Sequence, residues 1–439
     1  MFGKTLIKNG LIITMDGDER VFRGDILIKD RKIIRVGKSI DDRDGDWFDA
    51  EPYLIVPGLI QTHVHLCQTL FRNLAEDLSL MDWLQKKIWP YEGNHTVETI
   101  AVSARLGIAE LLLSGTTTIM DMGTVLHEDT IFEELAKSGL RAVAGKAMMD
   151  LGRRPEGLRE NTSESINESL RLLKKWHNFD HERLKYAFAP RFALSCTDDL
   201  LKETFRLTQT YHVLFHTHAA ENIHEVGLIR ERFGVSNIRL FEKLGITGRN
   251  VCLAHCIWTD EEDRQLLKEH EIKVLHCPSA NLKLGSGIAP IPDYLDEGIT
   301  VSIGADGAPC NNNMNIFQEM RLAALIQKPK YGALAMPAKD VLKMATINGA
   351  RTLGLEHLIG SIEAGKRADL TLIKMNQVHS IPYDNIYNKL IFSSQAADVE
   401  YVMVDGKWLL KGRRLQTIDL ASLLKEVPVA LKKIDRSLN

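Results

Sequence analysis

The chain has 439 residues, 44% hydrophobic and 26% charged, with a formal net charge of −3. That length suits one large domain plus a smaller one, and the composition supports a full core without the Lys/Arg blocks that track nucleic acid or anionic membrane. No stretch approaches the roughly 18 apolar residues of a membrane span.

Residues 1–56 read as strands joined by turns, in "TLIKNGLIITMD" and "GDILIKDRKIIRVGK". The opening apolar run is broken by Asn9-Gly10 and soon turns acidic, unlike a signal peptide. The six cysteines (67, 196, 252, 256, 277 and 310) form no CxxC pair. They read as reduced core thiols of a cytoplasmic protein, with Cys277 or Cys310 as a nucleophile the alternative.

From residue 57 to 364, short apolar runs alternate with amphipathic segments. The runs are "LIVPGLIQTHVHL", "TTTIMDMG", "RAVAGKAMM", "LKYAFAPRFAL", "HVLFHTHAAE", "NVCLAHCIW", "IKVLHCPSAN" and "ITVSIGADG". Such runs suit buried parallel strands. In "TVETIAVSARLGIAELLLSG", Ile100, Ala104, Ile108, Leu111 and Leu112 recur at helical spacing, and Gly115 is placed to end the helix. In "WTDEEDRQLLKEH", Thr259 and Glu262 have capping-box spacing. Eight strand–helix repeats predict an α/β fold, a parallel (β/α)8 barrel, with an open doubly wound sheet as the alternative. Residues 365–439 return to strand patterns ("GKRADLTLIKM", "DVEYVMVDGKWLLKGRRL") and a tail. Neither flank can fold alone, so the two are expected to pair into one small composite β-sandwich beside the barrel.

Chemistry in such a barrel sits at the C-terminal strand ends. His63 and His65 lie one residue apart on the first run, where residues i and i+2 share a face. His218 ends the fifth run, His255 the sixth and Asp306 the eighth. Each alone reads equally as a satisfied core group. Together, His63, His65, His218 and Asp306 can converge on one divalent cation, with a position left for water. Glu221, three residues past His218, is placed as a proton carrier or as a helix N-terminal acid. His216 shares a face with His218 and is the rival ligand, and His276 is placed to hydrogen-bond near the site. His95, His127, His177, His181, His270, His357 and His379 fall in helical or loop stretches and read as solvated.

The motifs "PGLIQTHVHL", "HTHAAEN", "LAHCIWTDEE", "HCPSANLKLGSGIAP", "GADGAPCNNNMNIFQEMRLAAL" and "ATINGARTLGL…IGSIEAGKRADLTLI" resemble the amidohydrolase superfamily. The resemblance is to the branch holding 5-methylthioadenosine/S-adenosylhomocysteine deaminases, 5′-deoxyadenosine deaminases and triazine hydrolases. It implies a barrel with a composite β-sandwich, a homo-oligomer, and one metal ion, normally zinc and in some relatives iron. It assigns His63, His65, His218 and Asp306 as ligands, Glu221 as the proton shuttle, and His255 as the partner of the attacking water. The implied reaction is hydrolytic deamination of an aminopurine nucleoside by hydroxide generated at the cation, releasing ammonia in a purine salvage role. It also implies that Glu92, in "KKIWPYE", meets the ribose hydroxyls and that Lys146 falls near a basic substrate contact. Trp83, nine residues before Glu92, is placed to pack against the nucleoside or its 5′ group. Glu92 reads otherwise as a solvated loop charge. "FAPRFALSC", with Arg191, and Gln68 in "HVHLCQ" resemble guanine deaminases instead, where matching positions meet the base. Guanine, pterins and triazines therefore stay open as alternative substrates, beside a non-catalytic binding protein.

Overall fold

The computed structural model describes residues 3–42, 45–152 and 154–436. Residues 1–2, 43–44, 153 and 437–439, which fall within the expected segments 1–56, 57–364 and 365–439, lie outside the described residues.

Eight parallel strands close into a barrel. They are Leu59–His65, Thr116–Met122, Arg141–Gly145, Leu184–Pro190, Leu214–Ala219, Val251–His255, Lys273–His276, and an eighth split into Val301–Ile303 and Asp306–Gly307. Val301–Ile303 pairs with the seventh strand and Asp306–Gly307 with the first, so the broken eighth strand closes the ring. Close approach explains the break. A Cβ on Gly304, between the halves, would sit 2.5 Å from the His63 carbonyl oxygen.

The apolar run at residues 54–66 divides where one strand was expected. Tyr53–Pro57 joins the sheet of the chain ends, and Leu59–His65 starts the barrel. Gly58 sits at the crossing, where a Cβ would press within 2.1 Å of Thr117 Oγ1. The chain ends build one nine-stranded sheet, joined where Leu370–Lys374 runs antiparallel to Tyr53–Pro57. Its apolar face packs Ile7, Ile26, Ile55, Leu370 and Met403. Arg141, 1% exposed on the third barrel strand, ties the two units together. It donates to Asp369 at 2.7 and 3.1 Å and to Asp405 at 2.6 Å. Removing one partner of such a buried cluster costs several kcal/mol, about 3–5, because it strands a charge.

Two local expectations shift. The helix Glu261–Glu269 is capped by Asp260 and Asp263, one residue on from Thr259 and Glu262. Thr259 bonds Tyr294 Oη at 2.7 Å instead, leaving Asp260 extended at the cap. The tail forms the helix Leu420–Arg436, whose Leu423, Ala430 and Ile434 cover Phe71 and Val102. The helix Val97–Leu113 ends as anticipated, with Gly115 just beyond it at φ +89°. No described helix is long and apolar enough to cross a membrane.

Candidate active site

The first strand's two-residue period turns His63 and His65 into the mouth of the barrel, both buried. The fifth strand brings His218 to them, and the eighth brings Asp306. Asp306 Oδ1 lies 3.5 Å from His63 Nε2 and 3.3 Å from His65 Nε2. The Nε2 atoms of His65 and His218 are 3.3 Å apart. One ligand atom from each of the four residues falls within 4.8 Å of all the others.

The outer ring nitrogens decide what those inner atoms are. His65 Nδ1 donates to the Met122 carbonyl at 2.7 Å, and His218 Nδ1 to the Arg191 carbonyl at 2.7 Å. His63 Nδ1 meets His216 Nε2 at 2.8 Å. A proton on each Nδ1 leaves each Nε2 a bare lone pair. His65 and His218 then aim lone pairs at each other with no proton to share, while His63 Nε2 is buried without a hydrogen-bond partner. Burial pushes His63 down to about 4 and His218 well below its usual value, so both stay neutral. Burial would raise Asp306, but its close contacts with the His63 and His65 rings outweigh it and hold the carboxyl well below the usual range. Desolvation would lower His65, but its contact with the Asp306 carboxylate outweighs that and raises it. Three imidazoles and one carboxylate converging on one point fit a divalent cation. His216, the rival ligand, stands behind His63 and orients it.

Glu221 follows the fifth strand, with Oε2 3.5 Å from His255 Nε2. Burial, with the charge of Asp306 adding to it, pushes Glu221 up to about 8. Its backbone N–H donates to Glu225 Oε2 at 3.0 Å, and Glu225 in turn accepts from Asn237. His255 Nδ1 pairs with Asn281 Oδ1 at 2.8 Å, which leaves a bare Nε2 facing the site. Ala220, His255, Cys256 and Asp306 all have positive φ, between +45° and +74°. Strained backbone of this kind gathers where geometry serves chemistry.

Above the cage opens a cleft of about 460 Å³ including its open mouth. Leu80, Trp83, Leu84, Phe192 and Leu284 give it apolar walls, and Gln68 and Arg191 supply polar ones. Glu92 stands one layer back. Its buried carboxylate accepts from Gln68 Nε2 at 2.8 Å and from Arg191 at 2.7 and 3.3 Å, so it is a paired group and not a solvated loop charge. Lys146 lies outside the cleft wall, bonded to Glu160 at 2.6 Å with both side chains buried.

Two histidine expectations change. His95 is buried, paired with Thr99 Oγ1 and the Cys67 carbonyl, where solvation was expected. His276 has both ring nitrogens without a partner among the described residues, and burial takes it to about 3. All six cysteines are free and buried. Burial raises the Cys277 and Cys310 thiols well above their usual range, which suits neither as a nucleophile. Asn281, Glu225 and Asn237 escaped sequence reasoning. Asn281 does close the "HCPSAN" motif, and Glu225 lies one helical turn past Glu221.

A sequence model of the Amidohydrolase family matches residues 54–409. A 5-methylthioadenosine/S-adenosylhomocysteine deaminase of Thermococcus onnurineus is 39% identical, covering 93% of this chain and 95% of its own. A 5′-deoxyadenosine deaminase of Methanothermobacter thermautotrophicus is 36% identical, covering 90% and 91%. Among solved structures, an adenosine deaminase from Xanthomonas campestris with bound zinc superposes with a TM-score of 0.93 at 28% identity, covering 98% of each chain.

Proposed function

This chain belongs to the amidohydrolase family, and from that premise we propose that it is a metal-dependent hydrolytic deaminase of an aminopurine nucleoside. The substrate is of the 5′-deoxyadenosine, 5′-methylthioadenosine, S-adenosylhomocysteine or adenosine type. The observation that carries the reading is the convergence of three bare imidazole nitrogens and the Asp306 carboxylate on one point, with Glu221 beside it. His63, His65, His218 and Asp306 would hold one divalent ion, zinc by the donor set and by the zinc-bound relative, with iron the other candidate. Such an ion lowers the pKa of water and supplies hydroxide near neutral pH.

The protein's own groups do the rest. His255 Nε2, bare and held by Asn281, accepts a hydrogen bond from the attacking water and aims it at the ring carbon that bears the amine. Glu221 accepts the water's proton and delivers it to the adjacent ring nitrogen, then serves the amine, which departs as ammonia. Burial raises the Glu221 carboxyl, which suits a group that must take up a proton and hand it on. Trp83 and Phe192 give the purine flat apolar faces, and Arg191 and Gln68 donate and accept at its polar edge.

A second reading, a free aminopurine or pterin base as substrate, is favoured by one observation. Glu92 is already engaged by Arg191 and Gln68, and its carboxylate does not line the cleft, so a ribose would have to displace one of them. A triazine hydrolase is the remaining alternative. Ammonia release from 5′-deoxyadenosine, methylthioadenosine, S-adenosylhomocysteine, adenosine and guanine, with chloride release from a chlorotriazine, separates the three. No turnover of any adenosine by metal-loaded protein rejects the first reading. The same proposal places the enzyme in the cytoplasm, in purine salvage, as a homo-oligomer, which light scattering tests.

A further inference from the structure

At the end of the barrel opposite the cage lies a second cleft, of about 1310 Å³ including its open mouth. It shares no lining residue with the first. Its walls come from the starts of the fourth and seventh strands, the turn before the sixth, and the end of the helix Ile347–Thr352.

Lys273 opens the seventh strand and is only 9% exposed. Its ammonium has neither a hydrogen bond nor an ion pair among the described residues, and it lines the cleft. Its register partner on the sixth strand is the buried Cys252, so packing alone asks for an apolar side chain there. Its stem is buried while the unpartnered ammonium opens on the cleft, where an anion would pair it.

The surroundings reinforce that sign. Lys185, Arg249 and Arg351 also line the cleft, against the carboxylates Glu271 and Glu356. Four cations less two carboxylates leave two positive charges. Lys185 is held by Asn178 at 3.1 Å, Arg249 stands 3.6 Å from Glu271, and Arg351 donates to Asn348 at 3.1 Å. The cations are thus held at the wall with no excess of carboxylates to neutralise them.

We propose that this cleft binds a phosphate dianion, free or as the phosphate of a monoester, with Lys273 as its anchor and Arg351 at its rim. The two negative charges match the surplus. A compact ammonium with a guanidinium fork is the donor pairing that phosphate oxygens favour.

Calorimetric titration of the metal-loaded protein tests this with inorganic phosphate, ribose 5-phosphate, and ribose as the uncharged control. Phosphate and its ester bind saturably at about one per chain, and ribose does not. Lys273→Met weakens binding at least about tenfold, and Arg351→Ala about three- to tenfold, as loss of a charged phosphate contact should. Both variants keep their phosphate-free rate of ammonia release. Equal affinities for the two anions assign recognition to the dianion alone, and a tighter ester adds a sugar contact. No saturable heat up to about 20 mM, or heat unchanged by both substitutions (as binding at the cage would give), overturns the proposal. Arg351 is exposed, so Arg351→Ala decides the matter should Lys273→Met fail to fold.

Discussion

His216→Leu tests the tautomer argument on which the metal cage rests. The substitution keeps an apolar side chain of useful volume at a fully buried position but removes the polar partner that His63 Nδ1 has among the described residues, 2.8 Å away. The wild-type pair holds the His63 proton on Nδ1 and the lone pair on Nε2. Without it, the ring can take the other tautomer or rotate, and the cation must reverse either change on binding. The lost bond contributes about 0.5–1.5 kcal/mol, and the tautomer and orientation it set contribute a similar amount. Together these amount to roughly 1–3 kcal/mol, about a 5- to 150-fold loss of metal affinity, in line with other partners that stand behind a ligand. Chelator competition with zinc measures it directly. His216→Leu still fills to one zinc per chain at saturation, whereas His218→Ala, which removes a proposed ligand, does not. Complete loss of stoichiometric zinc would make His216 a ligand in its own right. A change below about threefold would show that the His63–His216 bond sets nothing.

Three further outcomes follow from the geometry. Glu221→Gln keeps its metal but loses about 10²- to 10⁴-fold in turnover, because a neutral amide cannot carry the proton; near-normal rates by ammonia assay contradict that role. Glu92→Ala releases both Arg191 and Gln68 and so slows nucleosides and free bases together, whereas a loss confined to nucleosides would place the carboxylate on the ribose. Burial raises Glu221 to about 8 and Glu225 and Glu319 to about 7. Each therefore holds its proton more tightly folded than unfolded. The stability they contribute is complete below the ordinary carboxylate range and is lost as pH climbs from there through 7 to 8, by up to about 1.4 kcal/mol per pH unit for each group. Urea unfolding of the chelated protein at pH 5, 6.5 and 8 should show that decline, shallower in Glu221→Gln, and a flat profile would refute it.

Much of the barrel and the cage was legible in one dimension because the signals are local. A period of two places His63 and His65 on one face wherever that strand is packed. The apolar runs mark buried parallel strands because each must be covered on both sides. The pairing of the chain ends also followed, since neither flank has enough apolar surface to stand alone.

Packing between distant segments decided the remainder. Whether Glu92 faces ribose or a guanidinium depends on where Arg191, 99 residues away, is carried by another strand. Lys146 turns to Glu160, and His216 meets His63, for the same reason. A side chain's residue type and period settle which face it occupies. Its partner is set by burial, which charges an unpaired polar group several kcal/mol and so forces it onto whichever complement the fold delivers within about 3 Å.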